Sequence, residues 1–261
     1  MRIPSLLAAV ALLVTLEVGA TPRTETLFYT DGETRLGGYL SLDDAHPGPR
    51  PGVLVLHEWW GLNDHVRAQA RRLTELGYVV FAADLYGTGR VTEHAADAKA
   101  WMTQLSEDPE AWRQRALAGL DVLRKRPEVD PERIVALGYC FGAATAMQLA
   151  YAGAPLAGVV SVHGSLPPPP PELGHLSPAV LALHGAADPM VPTARVHAFQ
   201  HGLERLGADW QLVIYGGARH GFTNPGADRY KLDGVAYDAR AAQRAWRMLE
   251  TFLDEVLTTA P

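Results

Sequence analysis

The stretch RIVALGYCFGAATAM, residues 133–147, holds the single cysteine of the chain, Cys140. An apolar run of strand length ends at this cysteine, and a helix-favouring run begins after it. Gly138 and Gly142 flank the thiol in the pattern GxCxG. A strand that passes through this pattern into a helix predicts a sharp turn that holds Cys140 outward, a nucleophile elbow with cysteine in place of serine. The alternative is a buried structural cysteine, since cysteine is a common core residue.

Continuous apolar runs recur on both sides of this stretch. Runs that are apolar on both faces are typical of parallel strands covered by helices. Two alternating segments near the start predict a hairpin. Together they predict an α/β-hydrolase fold, a mostly parallel, doubly wound sheet of about eight strands flanked by helices. The predicted strands are residues 24–30, 34–42, 51–58, 78–84, 133–140, 156–164, 179–185 and 210–217.

Helical patterns alternate with these strands. Asn63 is a predicted N-cap for a helix with Val66, Ala70 and Leu73 on its apolar face, and Gly77 closes it. Asp108 and Pro109 are predicted to begin another helix, whose buried side carries Trp112, Ala116, Leu120 and Leu123. Further helices are predicted directly after Cys140, over 192–207 and over 236–257.

Composition limits the possible partners. The chain has 261 residues, 48% of them hydrophobic, and a formal net charge of −6, so it lacks the basic surface expected of a nucleic-acid-binding protein. Its length suits one α/β domain over residues 21–261. We expect a monomer that acts on a small molecule.

The first twenty residues resemble an export signal. One arginine precedes an apolar stretch from Leu6 to Leu16, and Val18 and Ala20 are placed as in a small-residue cleavage site. The alternative, a membrane anchor, needs a longer apolar run. We expect cleavage after Ala20, no membrane span in the mature chain, and a periplasmic or secreted location. The lone thiol would then have no partner for an internal disulfide.

Two further residues complete a candidate catalytic set. Asp188 follows the next-to-last predicted strand and His220 follows the last, so both lie at carboxyl ends of strands. The chain order nucleophile, acid, histidine is that of α/β hydrolases. Asp188 would orient the imidazole, and His220 would exchange protons with the thiol and the leaving group.

A predicted oxyanion hole lies beside the thiol. The backbone N–H of Phe141 starts the helix after Cys140, and the loop after the third strand offers the N–H of Trp59. His57 and His65 lie near Glu58, but the HExxH spacing of zinc proteases is absent. We therefore expect no metal and no cofactor.

The chain resembles the dienelactone hydrolase family of α/β hydrolases from about Thr24 to Leu257. The matching motifs are HEWWGLN (57–63), ADLYGTG (83–89), GYCFGA (138–143), HGAADPMVP (184–192) and HGFTNP (220–225). The resemblance implies that Glu58 contacts Cys140, keeps the resting thiol protonated and takes its proton when substrate arrives. The alternative for Glu58 is a structural carboxylate paired with an arginine.

The chain departs from that family at two positions. Members that act on dienelactone use two arginines for the substrate carboxylate, but here Thr88 and Asn224 occupy those positions, and Arg90 is displaced by two. The expected substrate is therefore not dienelactone. An uncharged ester, lactone or thioester would suit an aromatic pocket, for which the candidate residues are Trp59, Trp60, Tyr86 and Phe222, with Arg90 nearby; Trp60 and Tyr86 could instead be core residues.

These observations predict hydrolysis of a carboxylic ester or lactone through a Cys140, His220 and Asp188 triad and an acyl-thioenzyme. One alternative is a thioesterase or an esterase of cell-envelope polymers. Another is a non-catalytic binding or redox protein that keeps the fold.

Overall fold

The computed structural model describes residues 22–46 and 48–258. The predicted export signal lies outside the described residues. Within them, no helix is both long enough and apolar enough to cross a membrane.

One eight-stranded sheet forms the centre of the molecule, with strand order β1-β2-β4-β3-β5-β6-β7-β8. Strand β2 is antiparallel to both of its neighbours, and the remaining pairs are parallel. This arrangement confirms the predicted mostly parallel sheet and its first hairpin. The strands are β1 (Arg23–Asp31), β2 (Thr34–Leu42), β3 (Arg50–Leu56), β4 (Val79–Ala83), β5 (Val129–Tyr139), β6 (Gly158–Val162), β7 (Ala179–Gly185) and β8 (Trp210–Tyr215).

Helices cover both faces of the sheet. Helices α1 and α6 pack on one face, and α3, α4 and α5 pack on the other. Strand β3 shows why the runs are continuously apolar, because Val53 and Val55 pack under the first layer while Leu54 and Leu56 pack under the second. The helices are α1 (Asp64–Thr74), α2 (Ala95–Ser106), α3 (Pro109–Arg124), α4 (Phe141–Tyr151), α5 (Thr193–Arg205) and α6 (Ala239–Thr258).

Helix α2 is absent from the sequence-based prediction. It buries only Ala98 and Leu105, and His94 caps it without a side-chain hydrogen bond. By contrast, the predicted caps of α1 and α3 are present: Asn63 accepts from the N–H of Val66, and Asp108 accepts from two backbone N–H groups. A helix without an apolar stripe or a capping hydrogen bond carries little periodic signal.

Close backbone packing at two glycines fixes the turn between β5 and α4. A Cβ atom on Gly138 would lie 2.0 Å from the carbonyl oxygen of Gly142. A Cβ atom on Gly142 would lie 2.1 Å from the carbonyl oxygen of Leu56, at the end of β3. The start of helix α4 therefore lies so close to the sheet that neither of these two positions has room for a side chain.

Replacing Gly138 with Ala is expected to destabilise the fold by about 3 kcal/mol or more, because backbone atoms must move to admit the methyl group. Gly174→Ala is the matched control, since a Cβ atom there meets nothing within 4 Å. Urea unfolding of the two variants beside the parent chain checks this. Equal stability of both variants would contradict the steric argument.

Candidate active site

Cys140 lies at the tip of this turn in a strained conformation. Its backbone has φ 53° and ψ −112°, a region that residues other than glycine rarely occupy. Its N–H donates to the carbonyl oxygen of Val162 at 3.0 Å, which ties the turn to the end of β6. The turn holds the thiol partly exposed instead of burying it in the core.

The structure brings the thiol, the imidazole and the carboxylate together. Cys140 Sγ lies 3.0 Å from His220 Nε2, and His220 Nδ1 lies 2.8 Å from Asp188 Oδ2. The other oxygen of Asp188 accepts from the N–H of Met190 at 2.8 Å, so the carboxylate cannot turn away. These are hydrogen-bond distances, and they give an unbroken path for a proton from sulfur to imidazole.

The charges around His220 favour its protonated form. Burial alone opposes a charge on the imidazole, but the negative charge of a Cys140 thiolate and the hydrogen bonds to Asp188 and Cys140 outweigh it. Together they raise the pKa of His220 well above its usual range.

Two backbone N–H groups are available beside the thiol. Phe141 is the first residue of α4, and Trp59 lies in the loop after β3; both line the same cavity as Cys140. Within the described chain, neither N–H donates a hydrogen bond to another residue. Both can therefore receive a developing oxyanion.

Glu58 is buried next to this set, but its partner differs from the expected one. Its Oε2 atom accepts from Asn224 Nδ2 at 2.8 Å, and among the described residues it has no hydrogen bond to Cys140. Asn224 is itself oriented, because its Oδ1 accepts from the N–H of Gly226. Burial raises the pKa of Glu58 to about 7, although the Asn224 amide and the charge of His220 oppose that shift.

His57 anchors the loop that carries Glu58. Its Nδ1 lies 2.6 Å from the carbonyl oxygen of Glu58, and its Nε2 lies 3.1 Å from the N–H of Leu85. A carbonyl only accepts and a backbone N–H only donates, so Nδ1 carries the proton and the ring is neutral. Burial, which lowers the pKa of His57, agrees with this state.

A cavity of about 390 Å³ opens onto the thiol. Its described lining includes neither arginine nor lysine, and aromatic and aliphatic side chains dominate it. Trp60 stacks on Tyr230 with ring centroids 3.8 Å apart and planes at 10°, which closes one wall. The lining residues are Glu58, Trp59, Trp60, Met102, Ser106, Trp112, Cys140, Phe141, Ala144, Ser165, Met190, Val191, His220, Gly221, Asn224, Ala227, Tyr230 and Val235.

Three of the predicted pocket residues lie elsewhere. Phe222 is fully buried against Tyr215 and His163, because the loop after His220 turns its side chain into the core. Tyr86 is buried behind Phe141, with ring centroids 6.1 Å apart. Arg90 lines a separate cleft and lies over the ring of Trp101, 5.9 Å from its centroid. Trp60 lines the cavity as predicted.

The sequence-based prediction missed other parts of the wall. Tyr230 belongs to a short 3-10 helix, Ala227–Tyr230, in a segment that showed no regular pattern. Trp112 reaches the cavity from α3, where helical spacing suggested a core residue, and its indole N–H donates to Thr145 Oγ1. The sequence pattern identifies Asn224 only as a replacement for a family arginine, whereas in the structure it binds Glu58. The spacing HGFTN, with an amide four residues after the histidine, was the available signal.

The arrangement described above is that of the α/β hydrolase class of proteins. It consists of a strand that enters a helix through a GxCxG elbow, with an acid and a histidine on the last two loops of a mostly parallel sheet. Within that class, residues 36–257 match the dienelactone hydrolase family, and the chain belongs to it. It is a hydrolase of the ester and lactone type that this family comprises.

Similar proteins support this assignment. A solved structure described as a dienelactone hydrolase-like promiscuous phosphotriesterase from metagenomic libraries is 40% identical, covers 91% of this chain and 99% of its own, and superimposes with a TM-score of 0.88. Another, described as "m3DLH", is 41% identical over 91% of this chain and all of its own, with the same TM-score of 0.88. A protein of Saccharolobus solfataricus named "Putative carboxymethylenebutenolidase" is 27% identical over 88% of this chain and 98% of its own.

Replacing Glu58 with Gln should remove a pH-dependent loss of stability. The carboxyl has a pKa of about 7 when folded and 4.5 as the reference value, so the folded chain holds this proton more tightly. The contribution of the protonated Glu58 carboxyl to the free energy of unfolding is fully present below pH 4.5 and is lost as the pH rises through about 7. The stability of Glu58→Gln relative to the parent chain is therefore expected to increase between pH 5 and pH 8, by on the order of 2 kcal/mol.

Urea unfolding at both pH values measures this difference. Glu33→Gln, at an exposed position in the turn between β1 and β2, serves as the control for loss of a surface charge. A Glu58→Gln effect that stays constant with pH would contradict a raised pKa.

Proposed function

We propose that the chain hydrolyses an uncharged carboxylic ester or lactone with Cys140 as nucleophile, through an acyl-thioenzyme. The observation that carries the proposal is the pair of distances that link Cys140 Sγ to His220 and His220 to Asp188. Membership of an ester and lactone hydrolase family supports the same reaction.

The proposed reaction has two stages. The Cys140 thiolate attacks the carbonyl carbon, a C–S bond forms, and the carbonyl oxygen takes the negative charge between the N–H groups of Trp59 and Phe141. The intermediate collapses, the C–O bond breaks, and the leaving alkoxide takes the proton from His220. Neutral His220 then removes a proton from water, which attacks the thioester and releases the acid and Cys140. Asp188 keeps the imidazole in the required tautomer throughout.

The cavity wall supports an uncharged substrate. The charged or ionisable side chains of its described lining are Glu58, Cys140, His220 and Tyr230, and none of them is a fixed cation. Asn224, at the position of a family arginine, gives Glu58 a neutral partner. A carboxylate on the substrate would meet the Glu58 carboxyl without a guanidinium to bind it. Indole rings and methionine side chains favour an apolar acyl or alcohol group.

Cys140→Ala is expected to reduce hydrolysis of short p-nitrophenyl esters to the uncatalysed rate, because within the described residues no other thiol or hydroxyl group hydrogen-bonds to His220. Asp188→Asn should lower kcat by on the order of 10³-fold, since the imidazole loses its orienting charge. Steady-state kinetics measure both changes. Glu33→Gln, purified in parallel, should keep the parent rate, and activity retained by Cys140→Ala would refute the proposed nucleophile.

The same assay with dienelactone tests the substrate class. We expect kcat/KM for p-nitrophenyl butyrate to exceed that for dienelactone by about tenfold or more, because the carboxylate clamp is incomplete. Rapid dienelactone hydrolysis without ester turnover would show instead that the chain binds that carboxylate by another route.

Phosphotriester hydrolysis is a second candidate activity. The observation that favours it is the 40% identical relative described as a promiscuous phosphotriesterase. A neutral phosphotriester meets the same conditions as a neutral ester, since it needs an apolar cavity, a thiolate and N–H donors for a developing negative oxygen. Release of p-nitrophenol from paraoxon, lost in Cys140→Ala, would establish this activity; a rate equal to that without protein would exclude it.

A further inference from the structure

His163 is a buried histidine directly behind the candidate catalytic residues. It follows β6, whose last residue, Val162, accepts the N–H of Cys140. Its side chain is completely buried, and its backbone has φ 40°, a value rare for any residue with a side chain. A strained, fully buried imidazole at the carboxyl end of a central strand is unusual enough to need a physical explanation.

The side chain of His163 contacts the loop that carries His220 at three points, one of them an edge-to-face contact with the ring of Phe222. Its Nε2 lies 2.9 Å from Thr223 Oγ1, and its ring packs edge-to-face on His220 with centroids 5.3 Å apart. Thr223 lies between His220 and Asn224 in the chain. The contacts of His163 with this loop therefore hold both the imidazole of His220, which faces the thiol, and the amide of Asn224, which binds Glu58.

The environment keeps the His163 ring neutral. Burial lowers the pKa of His163 well below its usual range, and the charges of His220 and His65 lower it further. The other titratable ring packed against it is Tyr139, on β5, at 5.9 Å. No partner bonds His163 Nδ1 within the described residues. The hydrogen bond between Nε2 and the Thr223 hydroxyl is therefore the bond that holds the neutral ring to the loop.

We propose that His163 is a positioning residue, which fixes His220 and Asn224 through its hydrogen bond to Thr223 and its ring contact with the imidazole. The inference rests on the proposed function, because it assigns His163 a part in delivering the proton of Cys140 to His220. His163 lines no part of the cavity. Its loss should therefore change the chemical step and leave substrate binding almost unaltered.

The variant Thr223→Val removes the hydroxyl with little change of shape, and Thr223→Ser keeps the hydroxyl as the matched control. We expect kcat for p-nitrophenyl butyrate to fall about tenfold in Thr223→Val with KM within about twofold, while Thr223→Ser stays within about twofold of the parent in both. His163→Phe should lower kcat similarly, and the double variant should lose no more than either single variant.

A second readout does not depend on hydrolysis. Alkylation of Cys140 by iodoacetamide against pH reports how well His220 stabilises the thiolate. A looser imidazole stabilises it less, so the midpoint of the alkylation profile should move to higher pH in Thr223→Val and His163→Phe but not in Thr223→Ser. A variant that is merely less stable would show a lower unfolding temperature with an unchanged midpoint.

The two proposals fail in different ways. If the parent chain hydrolyses no ester, the proposed function fails, and the alkylation profiles still decide whether His163 positions His220. If the parent chain is active and Thr223→Val matches Thr223→Ser in kcat and in alkylation midpoint, the positioning role of His163 is overturned.

Discussion

Backbone contact between the elbow and the neighbouring strand is the constraint on which the site depends. Gly142 packs on the end of β3 and Gly138 packs on Gly142, so the helix after Cys140 lies directly against the sheet, with no space for a Cβ atom at either glycine. The loop after β3 starts at the same point and carries Glu58 and Trp59. One steric contact therefore sets how far the Cys140 thiol lies from the Trp59 N–H, a candidate oxyanion donor, and from the buried Glu58 carboxyl. The strained backbone of Cys140 persists because both flanking elements are packed so closely.

Hydrogen bonds then organise the side chains around this fixed point. His57 holds the Glu58 loop through both ring nitrogens, Asp188 is held by the N–H of Met190, and Asn224 is held by the N–H of Gly226. The side chains of His57, Asp188 and Asn224 are thus each bonded to the backbone, which restricts their rotation. Such preorganisation is what general acid–base and nucleophilic chemistry requires.

The sequence predicted the centre of the sheet because strands β3 to β7 are apolar and buried on both faces. It predicted the positions of Cys140, Asp188 and His220 because the fold fixes their chain order. It did not predict helix α2, which buries too few residues to leave a periodic pattern. It placed Phe222 in the pocket because an aromatic residue beside the histidine suggested a rim; the direction of a side chain in an irregular loop depends on packing that no local pattern reveals. The stack of Trp60 on Tyr230 joins residues that are far apart in the chain, so no local sequence pattern could predict it.

The neutral partner of Glu58 has a consequence for turnover. An ester enters the cavity uncharged, but the acid that leaves has lost a proton at neutral pH. The product anion then shares an apolar space with the Glu58 carboxyl, which ionises as the pH rises through about 7, and the described wall offers the anion no arginine or lysine. Mutual repulsion would expel the acid into water. Ionised Glu58 would in this way weaken binding of the product acid and limit inhibition by it.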